Sequence, residues 1–422
     1  MTTSLENEPA STGIPDFPEP RAAGCPFDPS PQMRGLTAFG PVFRARTWDG
    51  KAPWVVTGHA EQKTLLSDDR LSVDFAAPNF PSPVPHHGGE SHAEGGGGDN
   101  HGAFDLSFVG MDDPEHARLR RMVSGAFTIK RVEAMRPAVQ RTVDSFIDRM
   151  LEGPKPVDLV QAFSLPIPSL VISELLGVPY EDHAFFQDNS KFLVSLTATP
   201  AERGAAHTAL TAYLDRLVGR KLDHPAEDLL SRLADRVGAG ELTRREAAAM
   251  GVLLLLGGHE TSANMITLGT MLLLRHPEQA ALVREAEDSE VVVNAVEEML
   301  RFLTIAHLGR RRTALEDIEI AGHTIHTGEG VIMLGELANR DPAVFADPDR
   351  LDITRDDARR HQAFGAGTHH CVGQPLARME LQVIYPTLLR RIPTLRLATR
   401  LDEVPFKYDA VIYGAHELLV TW

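Results

Sequence analysis

The chain has 422 residues, more than one small core usually supports, so either one large domain or two are allowed. A formal charge of -16 argues against nucleic-acid binding, which wants a basic face. Two cysteines, Cys25 and Cys371, exclude a disulfide framework beyond a single pair and suit a reducing cytoplasm; no basic-then-apolar signal peptide opens the sequence.

Residues 1 to 15 are polar and rich in Ser, Thr, Glu and Pro, which predicts a loose tail. Pro41 to Arg46 and Pro53 to Thr57 read as two strands, with Asp49-Gly50 between them as a hairpin signal. Residues 81–102 carry Pro, His and a run of four glycines, and predict a mobile loop. Its histidines (His86, His87, His92, His101) are metal-capable side chains, but a solvated loop fixes no ligand geometry for them. From Glu115 to about Glu285 the pattern is helical, with breaks at Gly153-Pro154, Pro166, Pro168, Pro200 and residues 238–240. Within it, Ala247 to Leu274 is apolar and long enough to cross a bilayer, but Gly257-Gly258-His259-Glu260-Thr261 interrupts it. A charge at that depth is expensive in lipid, so a buried central helix with a functional break is expected, and no membrane insertion. Another helix covers Val291 to Phe302. Strand-like pieces follow at Ile318 to Ile320 and Gly330 to Met333, then a helix from Gln374 to about Arg391 and a strand pair around Tyr413-Gly414. The expectation is a mainly α chain with a small β-rich subregion and no internal repeat.

The most informative stretch is Phe364-Gly365-Ala366-Gly367-Thr368-His369-His370-Cys371-Val372-Gly373. Its glycines permit turns and close approach that side chains would block. Backbone N–H groups there, and at the start of the following helix, favour a thiolate at Cys371. Phe364 suits the face of a large planar ligand, and a thiolate so held suits haem iron. The alternative is an ordinary buried thiol. Three other sets stand out. Glu298 and Arg301, three apart on a helix, form an ion pair, which on spacing alone is a common surface pair. In Gly257-Gly258-His259-Glu260-Thr261 the glycines weaken the helix and the threonine can bend it, leaving room beside an acid and an alcohol. A glycine-flexed core helix reads the same way. His116 and Arg120, four apart, share a helical face and suit carboxylates, as would a solvated basic helix.

The Cys371 stretch fills every fixed position of Phe-Gly-x-Gly-x-His-x-Cys-x-Gly, and the chain resembles the cytochromes P450. The likeness runs from near Pro18 to Trp422 and is closest to soluble bacterial members fed by a ferredoxin, in the actinobacterial branch that oxidises macrolides, herbicides and similar molecules. It implies a P450 fold over residues 16–422 as one catalytic domain, with haem b between the central helix and the Cys371 loop. Phe364, Gly365, Gly373, Gly257 and Gly258 would border the haem and Cys371 would bind its iron. His116, Arg120, His369 and Arg312 would take its propionates. Glu298, Arg301 and Arg350 would form a buried network supporting the loop. Glu260 would deliver protons and Thr261 would stabilise the iron–hydroperoxo state. Leu254, Ile305, Ala306 and Ile412 are the implied substrate contacts.

The implied function is a monooxygenase that inserts one atom of O2 into a bulky small organic molecule, with electrons from a ferredoxin and ferredoxin reductase. Arg118, Arg121, Arg359 and Arg360 are candidates for docking the ferredoxin, with scattered surface arginines as the alternative. A nitric oxide reductase or peroxygenase shares the cysteine loop, and a non-enzymatic haem sensor is the second rival. The Glu260-Thr261 pair favours dioxygen activation.

Overall fold

The computed structural model describes residues 13–17, 26–84 and 107–422. The expectations for residues 1–12, for Cys25 and for most of the 81–102 loop, including its histidines, lie outside the described residues.

Among the described residues thirteen α-helices carry the fold. The first six are α1 (Pro31–Gly35), α2 (His59–Leu66), α3 (Glu115–Ser124), α4 (Ile129–Glu152), α5 (Pro166–Leu176) and α6 (His183–Val194). Then come α7 (Pro200–Asp223), α8 (Leu229–Gly238), α9 (Arg244–Arg275), α10 (Pro277–Glu285), α11 (Ser289–Phe302), α12 (Gly335–Ala338) and α13 (Gln374–Arg391). The strands are β1 (Val42–Arg44), β2 (Trp54–Val56), β3 (Leu71–Ser72), β4 (Val157–Asp158) and β5 (Arg310–Ala314). They continue with β6 (Ile318–Ile320), β7 (His323–Ile325), β8 (Gly330–Met333), β9 (Arg396–Leu397) and β10 (Leu419–Thr421).

The strands form a five-stranded sheet in the order β1-β2-β8-β5-β3, a three-stranded sheet β4-β10-β9 and the β6-β7 pair. The expected hairpin is present, with Val42 opposite Val56 and Arg44 opposite Trp54. The strand pair expected around Tyr413-Gly414 is reduced to one bridge, Phe406 to Ala415, and β10 pairs with β4 and β9 instead. The reason is a close approach to α9. A Cβ on Gly414 would sit 1.9 Å from Asn264 Oδ1, and the Tyr413 N–H donates to the Ile305 carbonyl at 2.8 Å.

α9 is the central element. It starts with a capping box in which Thr243 Oγ1 accepts the Glu246 N–H at 3.1 Å and Glu246 returns a bond to the Thr243 N–H at 2.7 Å. It packs against α5, α7, α8 and α13, burying Met250, Leu254, Ile266 and Met271 among many others. Each fully buried side chain of that size contributes roughly 1.5–3 kcal/mol. That outweighs the cost of Gly257 and Gly258, about 1 kcal/mol each in a helix interior. The helix therefore runs unbroken through them, without the opened turn the glycine pair predicts. No helix among the described residues is long and apolar enough to cross a membrane.

Candidate active site

The Cys371 loop is set by its backbone. Gly365 and Gly367 have φ of +75° and +67°, which favour glycine. A Cβ on Gly367 would also lie 2.2 Å from the Leu66 carbonyl oxygen. The Cys371 N–H donates to the Phe364 carbonyl at 2.9 Å, closing the loop, and Gly373 is the N-cap position of α13. Gln362 anchors the approach to the loop. Its N–H donates to Asn339 Oδ1 at 2.8 Å and its side chain to the His59 carbonyl at 2.7 Å.

The Cys371 thiol opens onto a cavity of about 380 Å³ while lying deep inside the molecule. Burial pushes the thiol up, and a hydrogen bond from the Gly373 backbone and the charges of Arg120, Arg310 and Arg378 oppose it. The cavity lies between the loop and α9. Leu254, Gly257, Gly258 and Thr261 form the helix wall; Ile305, Ala306 and Ile412 come from connecting segments. Gly257 has open space where a Cβ would sit, whereas a Cβ on Gly258 would lie 2.6 Å from Ile172 Cγ1. One glycine therefore leaves room and the other lets α5 approach. The Thr261 hydroxyl donates to the Gly257 carbonyl at 2.6 Å.

The basic residues gather at one side. The His116 and His369 rings meet in a tilted pair with centroids 4.1 Å apart. His116 Nδ1 pairs with Asp113 at 3.1 Å, and its buried Nε2 has no partner. Arg120 donates to the His370 carbonyl. Burial, then the charges of His116 and Arg312, bring His369 down to about 4, so it is neutral at physiological pH.

A sequence profile of the family described as Cytochrome P450 matches residues 216–393. Cytochrome P450 GfsF of Streptomyces halstedii is 51% identical over 100% of this chain and 99% of its own length. Cytochrome P450-SU2 of Streptomyces griseolus is 49% identical over the full length of both. The crystal structure of mycinamicin VIII C21 methyl hydroxylase MycCI from Micromonospora griseorubida, bound to mycinamicin VIII, has a TM-score of 0.85 at 40% identity, covering 94% of this chain and 98% of that one. The crystal structure of GfsF gives a TM-score of 0.86 over 97% of this chain and all of that one.

This chain is a cytochrome P450. It is a P450 monooxygenase whose cofactor is haem b, whose substrates are small molecules and which uses O2. The residues present fit that cofactor. An unpartnered buried imidazole nitrogen on His116, with Arg120 and Arg310 lining the same cavity, is a donor set for carboxylates, and the Cys371 thiol lines that cavity too.

Several of this P450's side chains stand elsewhere than the sequence predicts. Arg312 does not border the cavity; its Nη1 donates to the Arg311 carbonyl at 2.7 Å, and burial pushes it down to about 10. Arg310 borders it instead, half-buried, donating to the Ala363 carbonyl at 2.6 Å. The two lie on the same face of β5, so strand alternation alone does not tell them apart. Glu298 and Arg301 form the expected buried pair, with contacts of 2.7 and 2.8 Å. Arg350 does not join them through its side chain. It is 67% exposed and pairs with Asp352 at 2.7 Å, while its carbonyl accepts from Arg301. The third charged member is Arg355, 6% exposed and 3.3 Å from Glu298.

Glu260 turns away from the cavity. It meets Lys407 Nζ at 2.5 Å and Asn264 Nδ2 at 3.1 Å. Burial opposes its ionisation, but the Lys407 and His259 charges and the Asn264 bond outweigh it and hold the carboxyl below the usual range. Sequence reasoning missed a second buried acid. Glu380 accepts a hydrogen bond from Ser262, a cavity residue beside Thr261, at 2.8 Å. Burial pushes Glu380 up to about 8.

Proposed function

We propose that this P450 inserts one oxygen atom from O2 into a bulky, largely apolar organic molecule, by hydroxylation or epoxidation, with electrons from a ferredoxin and its reductase. Residues 16–422 act as one catalytic domain in this reading, and the two cysteines suit a reducing cytoplasm. The observation that carries it is a single cavity with the Cys371 thiol on one wall and Thr261 of α9 on another, the rest lined mostly by apolar side chains. The relative named for methyl hydroxylation of mycinamicin VIII supports a large secondary-metabolite substrate. Leu254, Ile305, Ala306 and Ile412 then hold the substrate by apolar contact and exclude water.

Haem, when bound, supplies the oxygen-activating chemistry. The chain does the rest. Cys371 would hold the iron as thiolate, with Phe364 and Gly373 on the cavity lining beside it, while Gly365, which does not line the cavity, serves the turn of the loop. His116, Arg120, His369 and Arg310 would take the carboxylates, with Arg312 as a further cation whose charge acts on His369. Gly257 and Gly258 keep the facing helix wall free of side chains. Thr261 turns its hydroxyl from the Gly257 carbonyl into the cavity and presents a proton there. Glu260, released from Lys407, would take up a proton from solvent water and pass it to Thr261.

The test is turnover of the haem-loaded protein against macrocyclic and polycyclic compounds with ferredoxin, reductase and isotopically labelled dioxygen. One labelled oxygen atom in the product, formed only when ferredoxin is present, is expected. Product formed equally well from peroxide alone would replace this reading with a peroxygenase.

A further inference from the structure

Beneath the Cys371 loop lies a charged cluster that belongs neither to the Glu298–Arg301 pair nor to the carboxylate-binding set. Glu297, next to Glu298 on α11, is 3% exposed. One of its oxygens accepts Arg378 Nε at 2.6 Å, and the other accepts Arg378 Nη2 and His361 Nε2, each at 3.0 Å. His361 Nδ1 accepts the Ala363 N–H at 3.0 Å, so the ring proton sits on Nε2 and points at Glu297. The Ala363 carbonyl takes Arg310 at 2.6 Å, so the residue before Phe364 is held at both backbone groups. Arg378 lies 4.6 Å from the centroid of the Phe364 ring, and the His361 ring centroid is 6.0 Å from it.

Two consequences follow from this geometry. The Phe364 ring is pinned from below by a planar cation that Glu297 keeps in place. The cation stands near the cysteine ligand, and its charge is cancelled by the same carboxylate. Without that carboxylate, an uncompensated positive charge would face the iron's ligand and favour the reduced iron.

We propose that Glu297, acting through Arg378 and His361, is a positioning residue that fixes Phe364 and holds the iron's reduction potential low. This rests on Cys371 being the thiolate ligand, a reading with its own check: the unaltered protein, reduced under carbon monoxide, must show the absorption band of a thiolate-ligated complex. If it does not, that reading fails and the Glu297 assignment fails with it.

The experiment is spectroelectrochemical titration of haem-loaded Glu297→Gln beside the unaltered protein. Glu297→Gln keeps the shape and removes the charge; a positive shift of the midpoint potential, with the thiolate carbon monoxide band retained, is expected. His361→Asn keeps an acceptor for the Ala363 N–H and loses the Glu297 contact, so it should shift the potential less in the same direction. Glu297→Asp should restore most of the original value. A Glu297→Gln protein with the original potential but a lower melting temperature would assign Glu297 to stability alone and overturn the proposal. If Glu297→Gln does not take up haem, His361→Asn and Glu297→Asp decide: unchanged potentials in both would overturn it equally.

Discussion

Arg350 and Arg355 lie five residues apart and play opposite parts. Arg350 is a solvated side chain paired with Asp352, whereas Arg355 is buried against Glu298. Arg350→Ala should therefore change stability by no more than about 0.5 kcal/mol. Arg301→Ala leaves Glu298 buried without its bidentate partner and should cost about 3–5 kcal/mol. Arg355→Ala should fall between them, and urea unfolding with haem retention as a second readout checks all three. Glu380 makes a prediction about pH. Its folded value, pushed up to about 8, lies above the ordinary 4.5. The folded state thus holds a proton that the unfolded state releases, and the stability this group contributes is full below about pH 4.5 and lost as pH rises towards about 8. Glu380→Gln should flatten that part of the stability–pH curve and leave the fold intact. An unchanged curve would show that Glu380 is not the titrating group. At this scale the sequence was readable where constraints were local. The Cys371 loop carries its glycines, aromatic and thiol within ten residues, and the structure uses them together. Arg355 was not readable, because two arginines in one irregular segment look alike until Glu298 is brought to one of them. Glu260 was readable as an acid beside Thr261 but not in its direction, since Lys407 is far away in sequence.

At the scale of elements, α9 shows how two adjacent glycines do different things. Gly258→Ala would drive a methyl into Ile172 and push α5 away, at a cost of about 1–3 kcal/mol. Gly257→Ala meets open space and should hold or slightly raise stability, since alanine is the better helix former by about 1 kcal/mol. Its methyl would enter the cavity instead, so weaker substrate binding at normal melting temperature is expected. Comparing thermal unfolding with ligand-induced absorption changes separates the two. Some helix limits were readable from the sequence, and α13 runs from Gln374 to Arg391 as expected. The continuity of α9 was not. Local glycine weakness is outweighed by burial on every side, which depends on α5, α7 and α13 arriving from distant parts of the chain. The same holds for the C-terminal segment, whose pairing is decided by contact with α9 and β4 rather than by its own alternation.

For the whole molecule, the docking face decides how electrons reach the Cys371 loop. Among the docking candidates, Arg118 is engaged by Glu115 at 2.8 Å and by Glu246, and Arg359 meets Glu290 at 3.2 Å. Arg121 lies exposed on α3. Charge reversal at Arg121 should slow reduction by the ferredoxin at low salt and matter less as salt rises, while Arg118→Glu would also disturb its ion pairs and α3. Stopped-flow reduction at two ionic strengths is the measurement; rates and salt dependence unchanged at Arg121 would remove this face from consideration.

The C-terminal turn also constrains engineering. Ile412, on the cavity wall, and Lys407, the counter-ion of Glu260, belong to one short piece of chain pressed against α9. A chimaera that borrows this piece from a relative to accept a new compound would replace the lysine along with the isoleucine. Selectivity and proton handling would change together, and a library meant to vary one should hold residue 407 constant.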